Sequence, residues 1–265
     1  MHNLKRLNLG CWLLWLSLLI VPGHVAGDDG LRFYYFNPDS PQNNLGRLKS
    51  DMESLLDGFD MTIEFQPFAH LTDFDARVRS DRPAFVFAPH WYLKRNADEI
   101  RFTPLLQSVR QQQNSYRKLL VARLGEDDDI NRPERLTLAM TSLGPGSKLL
   151  LASMLNPENF VALDKLSIVE VPKDADAIFA AALGQVDVAL VSQANMKLFR
   201  KINPRLIDSL KVISESTPID MPVLGYIDGV VTKEQAAALK QFMISSQTSS
   251  VMRTLQIEGW SSHER

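Results

Sequence analysis

Phe85-Val86-Phe87-Ala88 is a run without a polar side chain, set between segments of helical spacing. A strand apolar on both faces must be covered on both faces, and helices before and after it supply that cover in a largely parallel sheet. The same alternation recurs along the chain. Leu31 to Phe36 is an aromatic-rich strand. Leu45, Leu48, Met52, Leu55 and Leu56 recur at helical spacing and predict a helix over about 41–57, with Ser40 as a candidate cap. Strands are expected at 61–65, near 102–109 and near 116–124, with a short helix over about 71–80. A second series opens at Leu136, with strands at 136–140, 166–171, 186–191 and 210–213 and helices at 147–156, 173–183 and 193–200. A strand at 223–227 and helices at 233–247 and 249–257 close the chain, and Thr232 with Gln235 fits a capping box. Two α/β series predict two lobes, with one large open sheet as the alternative.

Residues 1–27 read as an export signal. Lys5 and Arg6 precede an apolar run from Cys11 to Val21, Pro22 and Gly23 break it, and Val25-Ala26-Gly27 offers small residues at the −3 and −1 positions. The run is short for a membrane span of about 20 residues, an uncleaved anchor being the alternative reading. Cys11 stands at the start of the apolar run, where a lipid-bearing cysteine would follow it. Cleavage after Gly27 removes the only cysteine, so the mature chain forms no disulfide and rests on the size of its core. Removing Lys5 and Arg6 from the 29 basic residues leaves 27 against 31 acidic, a balance of −4 with no basic face for nucleic acid.

Enzymatic patterns are missing. The mature chain has no cysteine nucleophile, no G-x-S-x-G elbow and no H-E-x-x-H pair. Its histidines, His70, His90 and His263, are far apart in sequence. Gly144-Pro145-Gly146-Ser147-Lys148 lacks the spacing of a phosphate-binding Walker loop. The acidic run Glu126 to Asp129 lacks calcium-loop spacing and reads as a solvated turn. Neither a cofactor nor a metal site is expected.

Asp174 to Val191 reads as an amphipathic helix, a one-glycine turn at Gly184 and a buried strand, a common unit of a lobe that closes on a small solute. This stretch resembles the A-x-x-x-G-x-V-D-A helix and strand of the phosphate/phosphite/phosphonate-binding components of ABC importers. Phe85 to Tyr92 is similar to that family's strand, turn and helix of the form F-x-G-P-x-x-Y, and Tyr116 to Ala122 to its first crossover strand. Leu136 to Leu155 resembles the strand, anion loop and helix of its second lobe, and Ser216-Thr217-Pro218-Ile219 stands at its S-x-P-I position. The resemblance implies an α/β, two-lobed type II periplasmic-binding-protein fold with two crossover strands as hinge. Its first lobe would be 28–115 plus 217–265, and its second 117–214. It also implies hinge closure around a solute held between the lobes. The chain departs from the family at the anion loop, where Gly144-Pro145-Gly146 stands in place of Ser-Thr-Ser. The hydroxyl set is missing, and a proline has no N–H to offer.

Clefts of open α/β lobes form beyond the carboxyl ends of strands, which selects the loops at 37–40, 89–92, 141–147 and 192–195. Trp91 and Tyr92 can stack on a solute or pack a helix. His90 can meet an anion or face solvent. Asp39 and Ser40 can reach a ligand or cap a helix. Ser142 and Ser147 can donate to an anion or cap, and Ser192 and Gln193 follow a strand into the cleft. Asp187 reads as a structural residue after a tight turn. The expected protein is a monomeric periplasmic solute-binding component. It captures a small molecule, of which a phosphonate-like oxyanion is one candidate, for an ABC permease or a membrane sensor. The alternative is a sensor or partner protein that keeps the fold without oxyanion capture.

Overall fold

The structure is a computed structural model and describes residues 30–40, 44–125, 136–144, 147–155, 166–246, 250–255 and 257–262. The export signal, the acidic run at 126–129, Pro145 and Gly146 of the anion loop, and His263 lie outside the described residues.

From β1 (Leu31–Tyr35) the chain runs through α1 (Leu45–Leu56), β2 (Ile63–Pro67), α2 (Leu71–Asp81), β3 (Phe85–Ala88), α3 (His90–Ile100) and β4 (Phe102–Val109). A short β5 (Ser115–Tyr116) leads into β6 (Lys118–Arg123). There follow β7 (Thr137–Met140), α4 (Ser147–Met154), β8 (Ser167–Glu170), α5 (Asp174–Ala182), β9 (Val188–Ser192), α6 (Gln193–Ile202), α7 (Pro204–Asp208) and β10 (Leu210–Glu215). A short β11 (Ile219–Asp220) precedes β12 (Val223–Ile227), α8 (Lys233–Ser245), α9 (Ser250–Leu255) and β13 (Gly259–Ser262).

The strands form two main sheets, of order β13-β4-β12-β3-β1-β2 and β10-β6-β9-β7-β8, with β11 paired to β5 as a separate ribbon. In the first sheet β1 pairs in parallel with β2 and β3, while β12 runs antiparallel to β3 and β4. In the second, β7 is parallel to β8 and β9, and β6 is antiparallel to β9 and β10. The chain crosses from the first sheet to the second between β4 and β6 and returns between β10 and β12. The two crossings are bonded side by side: the Ser216 amide donates to the Lys118 carbonyl at 2.9 Å, and the Lys118 amide donates to Ser216 Oγ at 2.9 Å.

The central strands of both sheets are covered on both faces, as their apolar side chains require. Phe33 and Tyr35 face α1, α8 and α9, while Tyr34 and Phe36 face α2 and α3. In the second sheet Leu119, Val121 and Ala189 pack under α5 and α6, and Leu120, Ala122 and Leu138 under α4. The predicted capping box at Thr232 and Gln235 is present. The cap of α1 is Asn44 rather than Ser40, because the helix begins at Leu45, the first residue of its apolar repeat, and Asn44 Oδ1 accepts from the Arg47 amide at 2.9 Å. After the final helix the chain adds β13, an edge strand antiparallel to β4 whose serines hide it from a reading by apolar runs. Asp187 takes the structural place expected of it: its carboxylate accepts from the amide and hydroxyl of Thr137, at 2.6 and 2.7 Å, and so ties the head of β9 to β7. Gly184, at φ +69°, makes the turn before it.

Candidate functional site

The carboxyl ends of β1, β3, β7 and β9 bring the four selected loops together. From the first sheet, Asp39 lies in the loop after β1 and Trp91 in the first turn of α3. From the second, Thr141 and Gly144 follow β7, and Ser192 ends β9 where α6 begins. Trp91 seats its ring on Gly144, where a Cβ would lie 2.5 Å from the ring carbons. Gly144 also holds φ at +63°, so both space and backbone favour glycine there.

The centre of this meeting place is a fully buried charge cluster. Lys118, the first residue of β6, is 0% exposed. Its Nζ donates to Asp39 Oδ1 at 2.7 Å, to Thr141 Oγ1 at 2.7 Å and to Asp174 Oδ1 at 3.2 Å, which uses all three of its protons. Thr141 Oγ1 donates to Asp39 Oδ1 at 2.7 Å, and the Tyr116 phenol donates to Asp39 Oδ2 through a short hydrogen bond. Asp174, at the head of α5, accepts on Oδ2 from the Ser192 amide at 2.6 Å and from Asn195 Nδ2 at 2.9 Å. Burial raises the Asp39 carboxyl, but the Lys118 charge and the bonds from Lys118, Tyr116 and Thr141 outweigh it and hold it below the usual carboxylate value. Asp174 is moved the other way: burial raises it, and the adjacent Asp39 charge adds to that against the pull of Lys118. Burial lowers Lys118, yet the two carboxylates raise it on balance, so it stays an ammonium. Burial and the Asp39 charge hold Tyr116 well above its usual value, which keeps it a donor.

Beside this cluster opens a cavity of about 340 Å³, lined by Arg110, Tyr116, Arg117, Gln193, Lys197 and Glu215 among others. The crossing strands supply Tyr116, Arg117 and Glu215, the turn after β4 supplies Arg110, and the first turns of α6 supply Gln193 and Lys197. Glu215 pairs with Arg117 Nε at 3.2 Å. Lys197 is exposed and makes no ion pair among the described residues. Burial pulls the Arg110 guanidinium below its usual value, but an arginine remains charged throughout the physiological range. The cavity therefore presents three cations and several amides against one carboxylate. It can take a small anion, and its volume lies in the range of small-molecule pockets.

The sequence-nominated residues divide. Asp39 and Ser192 belong to the buried network and Ser40 is buried next to Asp39. Gln193 lines the cavity, and its backbone N–H donates to the Arg117 carbonyl at 3.0 Å. Trp91 covers Gly144. His90 Nδ1 lies 2.8 Å from Asp220 Oδ2 of β11 and borders a separate surface depression. Ser142 lines a third, smaller hollow with His70, Thr72 and Glu170. Ser147 heads α4, half-buried. Tyr92 is not brought to the cleft: its phenol donates to Asp75 at 2.8 Å inside the first sheet's helical layer, against Phe74. The sequence reading did not nominate Tyr116, Lys118, Thr141, Asp174, Asn195, Arg110 or Lys197. One signal was available, since Lys118 opens a strand that is otherwise wholly apolar to Ala122.

A family model described as ABC transporter, phosphonate, periplasmic substrate-binding protein matches residues 34–264. No curated protein matches the chain in sequence. Among solved structures, a binding protein component of an ABC phosphonate transporter from Pseudomonas aeruginosa is similar at a TM-score of 0.70 and 18% identity, over 88% of this chain and 80% of that one. PhnD1 from Prochlorococcus marinus, in complex with methylphosphonate, is similar at a TM-score of 0.68 and 11% identity, over 88% of this chain and 92% of that one. A histidine kinase sensor domain with similarity to periplasmic binding proteins reaches a TM-score of 0.54 at 17% identity, over 86% of this chain and 94% of that one. These likenesses establish the type II periplasmic-binding-protein fold. Among the described residues no helix is long and apolar enough to cross a membrane.

Proposed function

This chain belongs to the family of ABC-transporter phosphonate periplasmic substrate-binding proteins, and from that premise we propose that it captures a small oxyanion of the alkylphosphonate class in the cavity beside the crossing strands and delivers it to a membrane permease. The observation that carries this reading is the cation-lined cavity itself. Arg110 and Lys197 approach it from elements attached to different sheets, so a bound anion bridges them. Gln193 adds its side-chain amide at the head of α6. In this reading the lobes are 28–115 plus 217–265 and 117–214, joined by the two crossings as hinge. The signal is removed after Gly27 and the mature protein works in the periplasm as a monomer. Trp91 on Gly144 closes one flank of the cleft; Asp39, Ser40 and Ser192 shape it from behind. The PhnD1 structure with methylphosphonate supports this ligand class.

The test is calorimetric titration of the mature protein with methylphosphonate and with phosphate. Hydrogen bonds to charged groups are worth about 1.5–3 kcal/mol, so Arg110→Gln and Lys197→Gln should each weaken binding by roughly tenfold or more. Unchanged affinity in both variants moves the solute out of this cavity. A second reading, a sensor or partner protein without oxyanion capture, is favoured by one observation: the centre of the cleft is filled by the chain's own charges. Absence of any oxyanion binding by the wild type selects that reading.

A further inference from the structure

The cleft's central donors are already serving an anion. Lys118 Nζ and Thr141 Oγ1 both point to Asp39 Oδ1 at 2.7 Å, and the Tyr116 phenol closes on Oδ2. The donors belong to the second sheet and the crossing strand, whereas Asp39 comes from the loop after β1 in the first sheet. Asn195 Nδ2 reaches the Asp39 carbonyl at 3.4 Å from the same side. We infer that Lys118, Thr141 and Tyr116 form an oxyanion site in the centre of the cleft, and that the Asp39 carboxylate fills it as a ligand supplied by the chain itself.

Asp174 plays a different part in the same cluster. Its remaining oxygen is held by the Ser192 amide and by Asn195, both of the second sheet and its helix, so it belongs to the wall. Asp39 is the acid that arrives from across the cleft. Its seat has the shape of a carboxylate: two donors converge on one oxygen and one on the other, and among the described residues no donor is placed for the third oxygen of a tetrahedral group. A phosphonate there would also bring a second negative charge toward Asp174, at high cost in so buried a site. The site therefore takes small carboxylates, and in the intact protein the Asp39 side chain excludes them while tying the two sheets together. Solute capture in the neighbouring cavity is a separate matter, because a vacated Asp39 seat would accept a carboxylate even in a chain that binds no phosphonate.

The experiment replaces the internal ligand with an external one. Asp39→Ala leaves Lys118 and Asp174 buried with a vacant seat, and its melting temperature should fall by about 6–20 °C. Sodium acetate or formate should restore part of that loss in a concentration-dependent way, while sodium chloride at equal ionic strength and methylphosphonate should not. The wild type should respond alike to acetate and chloride. Asp39→Asn, whose amide still fills the seat, should melt below the wild type and gain nothing from acetate. Equal responses of Asp39→Ala to acetate and chloride, or a melting temperature equal to that of the wild type, overturn the inference. Should Asp39→Ala fail to fold in chloride, refolding in acetate is the readout: recovery there supports the vacant seat, and failure in both salts refutes it. Restoration by methylphosphonate in preference to acetate refutes the carboxylate assignment.

Discussion

The centre of the cleft and the cavity beside it share the side of Tyr116, yet they treat charge in opposite ways. In the centre, Lys118 spends every proton on Asp39, Thr141 and Asp174, and all four residues are buried. In the cavity, Lys197 is exposed, and Glu215 is the one carboxylate among the lining residues, already engaged with Arg117. Desolvated charges that satisfy one another bring little net stability but are costly to separate. An exposed cation such as Lys197 costs little to keep and can be spent on a ligand. The contrast separates the part of the cleft that holds its two walls in register from the part that, on the proposed function, recognises something that arrives.

The sharpest way to break that comparison is to remove the central cation. Lys118→Met leaves two buried carboxylates facing each other and should cost about 3–5 kcal/mol of stability by denaturant unfolding. A loss under about 1 kcal/mol would mean that the cluster is solvated and that the two regions do not differ in kind. Titration of the same cluster reads it from another direction. The Asp39 carboxyl is held below its unfolded value of about 3.9. Its contribution is complete above that pH and is lost as pH falls through the lower folded value. The stability gap between wild type and Asp39→Asn should therefore be flat near neutrality and close in acid below about pH 3.9. Asp174 opposes this, more in the wild type than in Asp39→Asn, because burial and the Asp39 charge raise its carboxyl and protonation removes an unfavourable charge. Lys118 and Tyr116, which also face Asp39, keep their protons through that range. A gap that closes nearer neutrality would assign the linkage to another group.

Smaller effects are expected at the edges. Gly144→Ala forces a Cβ against the Trp91 ring at a positive φ and should cost about 1–3 kcal/mol, with the loss visible as a shift in Trp fluorescence. Lys197→Gln should change stability by no more than about 0.5 kcal/mol, as for other exposed substitutions, while still weakening oxyanion binding. A large stability loss there would show that the cavity is structural after all.

Most of the fold was legible because its strands are apolar on both faces and its helices on one. Phe85 to Ala88 and Val186 to Val191 announce themselves as interior strands, and the glycine turn at Gly184 and the Thr232 capping box follow from local chemistry. The last strand was not legible, because Trp260-Ser261-Ser262 carries no apolar run and pairs only with β4 at the sheet edge. The loops after the strands could be chosen from the strand ends, and of the residues nominated that way Asp39 and Ser192 lie in the buried network and Gln193 lines the cavity beside it. Their partners could not, because Lys118 and Asp39 are 79 residues apart and nothing local in either segment announces the other. Lys118 stood out only as a charge heading an apolar strand. Tyr92 misled for the opposite reason: an aromatic at a loop–helix junction looks available, but its position on α3 turns it toward Asp75 and away from the second sheet.

The most direct measurement is a crystal structure of the mature protein grown with methylarsonate, an arsenic analogue of methylphosphonate whose anomalous signal locates the oxyanion. The expected result is one arsenic peak within hydrogen-bonding reach of Arg110 or Lys197, in the cavity beside Tyr116, with the Asp39 to Lys118 contact intact. An arsenic peak on Lys118 and Thr141 with Asp39 displaced would contradict the division of the cleft into a self-filled centre and a ligand-binding flank.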